Sequence, residues 1–455
     1  MQGLKIPRAL TIAGSDSGGG AGIQADLKTF AAFGVHGMTA ITSITAQNTA
    51  KVTAIQDIPA EIIREQIRVV VEDIGVDAIK TGMLHTPDII EAVADELSSI
   101  DAPIVVDPVA VAKSGARLIR EDAIEILLTK LIPLARVVTP NAAEAEALTG
   151  VKIKTLDDQK RAAKMLVDRG ARAAVVKGGH LASRNVVDVL YHAEKFYYFE
   201  APRIDTKNTH GTGCVFASAI AAGLAKGLSV SEAVKEAKTF VTQAIRNGLA
   251  IGSGHGPVNP MATVLQDARR FRTLLTMQEA LELITADPNI HLLVPESQMN
   301  LAMAIDDAKG YDDVAAIPGR IVKIGNRVSA VSEPRFGASR HVASAVLTIM
   351  KYSKSMRSAI NIKKNDEILN AAIKLGYSIS SYDRRKEPPE IKDVEGMTIP
   401  WGVEEAIKAY GGVPDVIYHD GDVGKEPMML IIGNDAIDVA RKVLRLAEKV
   451  SSGKG

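Results

Sequence analysis

Six short apolar runs in the first 180 residues, separated by stretches of helical period, constrain the fold of this chain more than any other feature. They are Ala9 to Ala13, Ala40 to Thr45, Ala78 to Thr81, Ile104 to Asp107, Val137 to Thr139 and Ala173 to Lys177. A strand that is apolar at successive positions is buried on both faces, as in a parallel sheet covered by helices on either side. The intervening segments supply such helices. In the first, Ile23, Leu27, Phe30 and Ala31 recur on one face, and Asp26 and Lys28 are expected to point away from it. Val186 to Tyr191 and Lys195 to Phe199 predict an antiparallel pair turning at His192, Ala193 and Glu194. The fold class is α/β, a doubly wound α/β/α sheet, with functional residues expected beyond the carboxyl ends of its strands.

The only cysteine among 455 residues closes the string Asn208-Thr209-His210-Gly211-Thr212-Gly213-Cys214, a glycine-rich turn that leads into an apolar helix. Gly211 and Gly213 let successive backbone N–H groups point at one spot, and the helix start adds the positive end of its dipole, so the turn suits a phosphate. The same field is expected to lower the thiol pKa. Cys214, partly a thiolate, would then accept a proton from a hydroxyl attacking phosphorus. The alternative role is that of a small buried residue packing with Val215, Phe216 and Ala217.

A chain of this length exceeds one ordinary core, so two domains are expected. The string Gly252 to Pro257 followed by Asn259-Pro260 reads as a domain end, which gives a first domain at 1–257, a linker at 258–272 and a second domain at 273–455. Equal numbers of basic and acidic residues, 54 of each, argue against nucleic acid or membrane as the main partner. A lone cysteine, no leader-like segment and no apolar run approaching the roughly 20 residues of a membrane span fit a soluble cytoplasmic protein. In the second half, helices are predicted near Met277 to Thr285, from Ala338 to Tyr352 and from Asn434 to Val450. Strands are predicted at His291 to Val294, Ile321 to Ile324, Ala359 to Ile362, Tyr377 to Ser381, Val416 to His419 and Met428 to Ile432.

The first half carries further strings at its strand ends: Ala13-Gly14-Ser15-Asp16-Ser17-Gly18-Gly19-Gly20-Ala21-Gly22, Ala46-Gln47-Asn48, Lys80-Thr81-Gly82-Met83, Asp107-Pro108-Val109, Thr139-Pro140-Asn141 and Lys177-Gly178-Gly179-His180. With the cysteine turn, and from about Ala9 to Pro257, these resemble hydroxymethylpyrimidine and phosphomethylpyrimidine kinases of the ribokinase-like superfamily. Most other ribokinase-like enzymes carry Asp where Cys214 stands, so the cysteine points to the pyrimidine branch.

The resemblance implies ATP and Mg2+ as cofactors and assigns roles that chemistry can weigh. Gln47 offers the donor and acceptor that an aminopyrimidine edge requires. Asp16, Gly14 and Gly20 either receive the hydroxymethyl end or make a tight turn. Met83 and Val109 would flank the ring, although a methionine also fills cores. Asp107 and Glu144 are the expected contacts to hydrated magnesium on the nucleotide phosphates. Asn141 joins Glu144, Thr209 and Lys238 at the nucleotide, yet Asn141 with Glu144 is also a capping-box pattern. Lys177 would neutralise charge on the transferred group, with the Gly211 and Gly213 amides as the anion receiver. Lys238 on a helix face is otherwise an ordinary solvated lysine.

The second half is rich in Pro318-Gly319-Arg320 and Glu333-Pro334-Arg335-Phe336-Gly337-Ala338-Ser339-Arg340-His341, and His341, Ser344, Thr348 and Lys351 share a narrow polar helix face. A basic helix start receives anions, but such a face is also ordinary surface. With Asn361, Ser381-Tyr382-Asp383-Arg384-Arg385, Pro400-Trp401-Gly402 and Asp420-Gly421-Asp422-Val423-Gly424-Lys425-Glu426-Pro427, this half resembles the thiamine-phosphate synthase domain found fused to pyrimidine kinases, with a fold like class II aldolases. The resemblance implies that Arg320, Arg335, Arg340 and Lys351 stabilise departing pyrophosphate, that His341 donates to phosphate, ligates or begins the helix, and that Asn361 contacts substrate. Small-molecule pyrimidine and thiazole phosphates are the expected partners, and a homo-oligomer the expected assembly. The rival for the second half is a module that senses thiamine phosphate. The rival for the first is a pyridoxal kinase.

Overall fold

The computed structural model describes residues 5–109, 122–179, 184–392, 396–422 and 424–453. His180 and Val423, quoted above within motifs, lie outside them. The chain divides into two compact units, Met1–Leu265 and Gln266–Gly455.

The first unit is built on nine strands: β1 (Arg8–Asp16), β2 (His36–Gln47), β3 (Val52–Asp57), β4 (Ala78–Thr81), β5 (Ile104–Val106), β6 (Val137–Val138), β7 (Ala173–Val176), β8 (Asn185–His192) and β9 (Lys195–Pro202). They lie in the order β3-β2-β1-β4-β5-β6-β7-β8-β9. Strands β1, β2 and β4 to β7 are parallel, and β3, β8 and β9 pair antiparallel to their neighbours at the two edges. Successive residues of one strand enter opposite cores. Leu10, Ile12, Ile79, Val106, Val138 and Val176 pack on one face, and Ala9, Ala78, Val105, Val137 and Val175 on the other. That two-sided burial is why the strands read as unbroken apolar runs. The second face is covered by the helix Thr212–Ala225, in which every residue from Cys214 to Leu224 is buried.

The second unit holds β10 (Leu301–Ala304), β11 (Val314–Ala316), the hairpin β12 (Ile321–Ile324) and β13 (Arg327–Ala330), then β14 (Arg335–Phe336), β15 (Ser358–Lys363), β16 (Ile379–Ser381), β17 (Val416–His419) and β18 (Met428–Gly433). Seven of these form a sheet in the order β14-β11-β10-β15-β18-β17-β16, antiparallel except for the pair β16 and β17. The closing helix Ala436–Ser452 buries Val439, Ala440, Val443, Leu446 and Ala447 against it.

Three expectations are corrected. The stretch 258–272, read as a linker, is helical from Ala262 onward, within a continuous helix Ala262–Ala286, because the sequence from Met261 to Asp287 is free of glycine and proline. His291 to Val294 is not a strand but falls on a single 3₁₀ turn, Ile290–Leu292, hemmed in by Pro288 and Pro295. Asp26 does not face solvent from its helix, Gly22–Ala32, but is fully buried, because that helix packs against both the sheet and the cysteine helix.

Candidate active site

A cavity of about 700 Å³ runs along the sheet edge where the parallel strands of the first unit end. In strand order it is lined by Gln47 (β2), Gly14 and Asp16 (β1), Met83 (after β4), Asp107 and Val109 (after β5), Asn141 and Glu144 (after β6) and Lys177 (after β7). The turn residues Thr209, Gly211, Gly213 and Cys214, with Lys238 from the helix Val230–Arg246, complete it. Gly20 is not in the lining. A methyl group there would meet His210 at 2.5 Å, and one on Gly211 would meet the Gly20 carbonyl oxygen at 1.9 Å, so the two glycines let two loops touch.

At one end Asp16 accepts from the amides of Gly18, Gly20 and Ala21 at 2.8, 3.1 and 2.9 Å, and its Oδ2 pairs with His210 Nε2 at 2.9 Å. Burial alone would raise its pKa, but the His210 bond and the amides win and hold it below the ordinary value. Asp16 thus organises the loop and His210 at the cavity wall. Gln47 Oε1 accepts from Thr45 Oγ1 at 3.2 Å and its Nε2 lies 3.4 Å from His210 Nε2.

In the middle, Asp107 Oδ1 accepts from Thr139 Oγ1 at 3.1 Å and pairs with Lys177 Nζ at 3.3 Å, while Asp107 Oδ2 is buried with no hydrogen-bond partner. Lys177 is lowered by burial and raised more by Asp107 and Glu144, so it stays a cation. A methyl group on Gly213 would come within 3.4 Å of both Asp107 Oδ2 and Lys177 Nζ, which puts the helix mouth directly over this pair. Asn141 and Glu144 form the reciprocal cap read in the sequence: Glu144 N–H to Asn141 Oδ1 at 3.0 Å, and Asn141 N–H to Glu144 Oε2 at 2.8 Å.

Cys214 lines the cavity but is not a thiolate. Burial in the apolar helix pushes the thiol up to about 12, against a smaller lowering by Lys80. The helix dipole does not make this thiol a thiolate as expected, because desolvation wins. Lys238 is not solvated either: it is buried and donates to Asp188 Oδ2 at 2.8 Å, while Asp188 Oδ1 accepts from Gly178 N–H at 2.9 Å.

In the second unit Arg320, Arg335, Arg340, His341 and Lys351 are exposed, and no described hydrogen bond or ion pair joins one of these side chains to another. Arg320 sits in the left-handed region (φ +72°) after Gly319, and its guanidinium donates to the Ser297 carbonyl. The shared polar face of the helix His341–Tyr352 does not exist as drawn. Ser344 and Thr348 are buried and bond to the backbone of their own helix, at His341 O and Ser344 O, both at 2.8 Å. Asn361, buried on β15, accepts from Asn300 N–H at 2.7 Å and donates to Gln298 O at 2.9 Å, so both ends of its amide hold the backbone before β10.

The sequence profile of phosphomethylpyrimidine kinases matches residues 16–259, more than half of the chain. The chain belongs to the phosphomethylpyrimidine kinase family. Residues 276–445 match a second profile, that of thiamine-phosphate synthase ThiN. The Streptomyces coelicolor hydroxymethylpyrimidine/phosphomethylpyrimidine kinase is 51% identical over 253 residues, 56% of this chain and 94% of that one. The Geobacter sulfurreducens thiamine biosynthesis bifunctional protein ThiED is 50% identical over 251 residues, covering 55% of this chain and 51% of its own. Among solved structures, an ADP complex of Bacillus subtilis pyridoxal kinase matches with a TM-score of 0.54 and 43% identity, over 57% of this chain and 99% of that one. This kinase therefore carries a thiamine-phosphate synthase domain in the same chain, an architecture of thiamine biosynthesis.

Three residues that shape the kinase cavity drew no role from sequence reasoning. Asp188 lies within a strand and not in a glycine string, and only its fold partners Gly178 and Lys238 reveal it. His210 stands inside the cysteine turn, where its neighbours gave the stronger signal. Asp26 is paired with Lys80 beneath the cavity floor.

Proposed function

We propose that the first unit transfers the terminal phosphoryl group of ATP to 4-amino-5-hydroxymethyl-2-methylpyrimidine and then to its monophosphate, and that the second unit condenses the resulting diphosphate with hydroxyethylthiazole phosphate to thiamine phosphate. The observation that carries the first step is the single cavity lined by Gln47, Asp107, Lys177 and the cysteine turn. Gln47 and Met83 would hold the ring at the β1–β2 end, and Lys238, Thr209, Asn141 and Glu144 the nucleotide at the β6–β8 end. The Gly211 and Gly213 amides, together with Lys177, would receive the transferred group between them. In a loose phosphoryl transfer the attacking oxygen needs little prior deprotonation, so a neutral Cys214 thiol suffices to accept its hydrogen bond and orient it.

The enclosed, unpartnered Asp107 Oδ2 beside Glu144 is a hard oxygen donor that fits magnesium brought in by nucleotide phosphates. When bound, the ion would neutralise charge building on those oxygens. In the second unit the thiazole nitrogen attacks the pyrimidine methylene carbon, the C–O bond breaks and pyrophosphate leaves, with Arg320 and Arg335 as the cations that receive it.

The test is incubation of the full chain with ATP, magnesium, the hydroxymethylpyrimidine and the thiazole phosphate. Thiamine phosphate is the expected product. Accumulated pyrimidine diphosphate without it would leave the second unit a sensor. Faster turnover of pyridoxal than of the pyrimidine would overturn the kinase assignment in favour of the activity named for the Bacillus subtilis structure.

A further inference from the structure

The strand directions of the second sheet bring together residues that are far apart in sequence. Because β11, β10, β15, β18 and β17 alternate in direction and β16 runs with β17, the end of β11, the start of β10, the end of β15, the start of β18 and the ends of β17 and β16 share one edge. Arg320 follows β11 on that edge, and Arg384 follows β16 at its other extreme. Five strand spacings, about 24 Å along the edge, separate the strands that these two arginines follow, so they stand at opposite extremes of it.

Around Arg384 lies a cluster of unusual composition. The Tyr382 ring stands 5.2 Å from the His419 ring and 6.0 Å, edge to face, from the Trp401 ring. A methyl group on Gly402 would strike Tyr382 at 2.1 Å, so this glycine is what admits the tyrosine. His419 Nδ1 accepts from Gly421 N–H at 3.1 Å, which leaves the ring proton on Nε2. Burial keeps this imidazole neutral, its pKa lowered to about 4. Among the described residues, Arg384 Nε and Glu387 Oε1 are enclosed and have no hydrogen-bond partner. A buried guanidinium nitrogen and a buried carboxylate oxygen left unsatisfied within one short segment are costly unless something else completes them.

We propose that Arg384, Glu387 and His419, with the rings of Tyr382 and Trp401, form a subsite for a phosphorylated nitrogen heteroaromatic, in which Arg384 receives the phosphoryl group of the substrate that Arg320 does not hold. The inference rests on the condensation reading above. The chemistry of that reaction calls for two separated anion sites. The ring nitrogen attacks carbon from the side opposite the departing diphosphate, and the thiazole carries its phosphoryl group on a side chain away from that nitrogen. The two anions therefore lie at opposite ends of the reacting pair. Aromatic faces suit flat rings, and a guanidinium suits a phosphoryl group.

Trp401 is the only tryptophan of the chain, so its emission reports on this cluster in the full-length protein. Titration of the phosphorylated thiazole, and separately of the pyrimidine diphosphate, is expected to change that emission for at least one of them. R384M should raise the dissociation constant of that ligand by about tenfold or more, with part of the affinity restored in R384K. Binding of unphosphorylated thiazole and turnover of the pyrimidine kinase should be unaltered in both variants. Unchanged constants for both phosphorylated ligands in R384M would overturn the inference. Equal weakening of the phosphorylated and unphosphorylated thiazole would overturn it too, by showing a structural role only. If the wild-type protein forms no thiamine phosphate, the condensation reading falls, whereas the titrations still decide the role of Arg384.

Discussion

Lys80 Nζ donates to Asp26 Oδ2 at 2.9 Å with both side chains fully removed from solvent. Asp26 also accepts from Thr11 Oγ1 and Ser218 Oγ, each at 2.6 Å, so one carboxylate ties β1, β4 and two helices together. Ser218 lies one helical turn beyond Cys214, on the same face of the helix, so the network fixes the helix that carries the thiol.

Asp26→Asn should leave the buried Lys80 cation without a counter-charge and cost about 3–5 kcal/mol, read as a lower Tm of the first unit. The double substitution Asp26→Leu with Lys80→Met should cost clearly less than either single change, because no buried charge is stranded. Burial, the largest single effect, lowers the Lys80 pKa, but Asp26 together with Cys214 and Asp107 raises it more, and the net direction is upward. A pKa raised by folding adds stability that is whole below the unfolded lysine value of about 10.4 and fades above it. The wild-type chain should therefore lose stability on alkaline titration above that value, and the double variant less so.

Asp26 also shows where sequence reading stopped. Periodicity identifies one apolar stripe per helix, but this helix is sandwiched between a sheet and another helix, and its polar position faces the second layer. The strand ends and their motifs were legible because glycine strings and isolated polar residues interrupt apolar runs there. In the second unit β10 (Leu301–Ala304) and β11 (Val314–Ala316) went unseen: they hold three and two alanines or methionines respectively, residues without strong strand preference. The state of Cys214 was misread because the sequence reveals a dipole but not the desolvation that outweighs it.

The thiol itself gives a second prediction. With its thiol pushed up to about 12, Cys214 should react with iodoacetamide slowly at neutral pH, at a rate rising about tenfold per pH unit with no plateau below pH 11. Lys80→Met removes a cation that lowers this pKa, so alkylation at any fixed pH should slow further. Cys214→Ala should reduce phosphoryl transfer by about a hundredfold while nucleotide affinity stays within about twofold of wild type. A lowered Tm with intact turnover would instead make the cysteine structural.

The two glycines of the turn should behave differently. Gly211 has φ +81°, and a methyl group there would meet the Gly20 carbonyl oxygen at 1.9 Å, so Gly211→Ala must displace backbone and should lower both Tm and turnover. Gly213 leaves 3.4 Å to Asp107 Oδ2 and Lys177 Nζ, an ordinary contact. Gly213→Ala should therefore fold with a Tm near wild type yet narrow the space for the transferred group, seen as a kcat loss of about tenfold or more at an unchanged melting curve. Equal turnover in Gly213→Ala and wild type would show that no phosphoryl group sits against this amide.

Arg320 offers a test that separates backbone from charge. Its left-handed backbone is one that glycine adopts freely, and its guanidinium donates to the Ser297 carbonyl beside Glu426, which in turn accepts from the amides of Glu296 and Ser297 at 2.9 Å. If the residue only makes this turn, Arg320→Gly and Arg320→Ala should both preserve thiamine-phosphate formation, because arginine already places a Cβ at this left-handed position. If the cation receives the departing pyrophosphate, both should fall by about a hundredfold or more, with Arg320→Lys partly active. We expect the second pattern, with pyrimidine phosphorylation at the wild-type rate in all three variants. An active Arg320→Gly would remove the guanidinium from the chemistry and leave Arg335 as the receiver to test next.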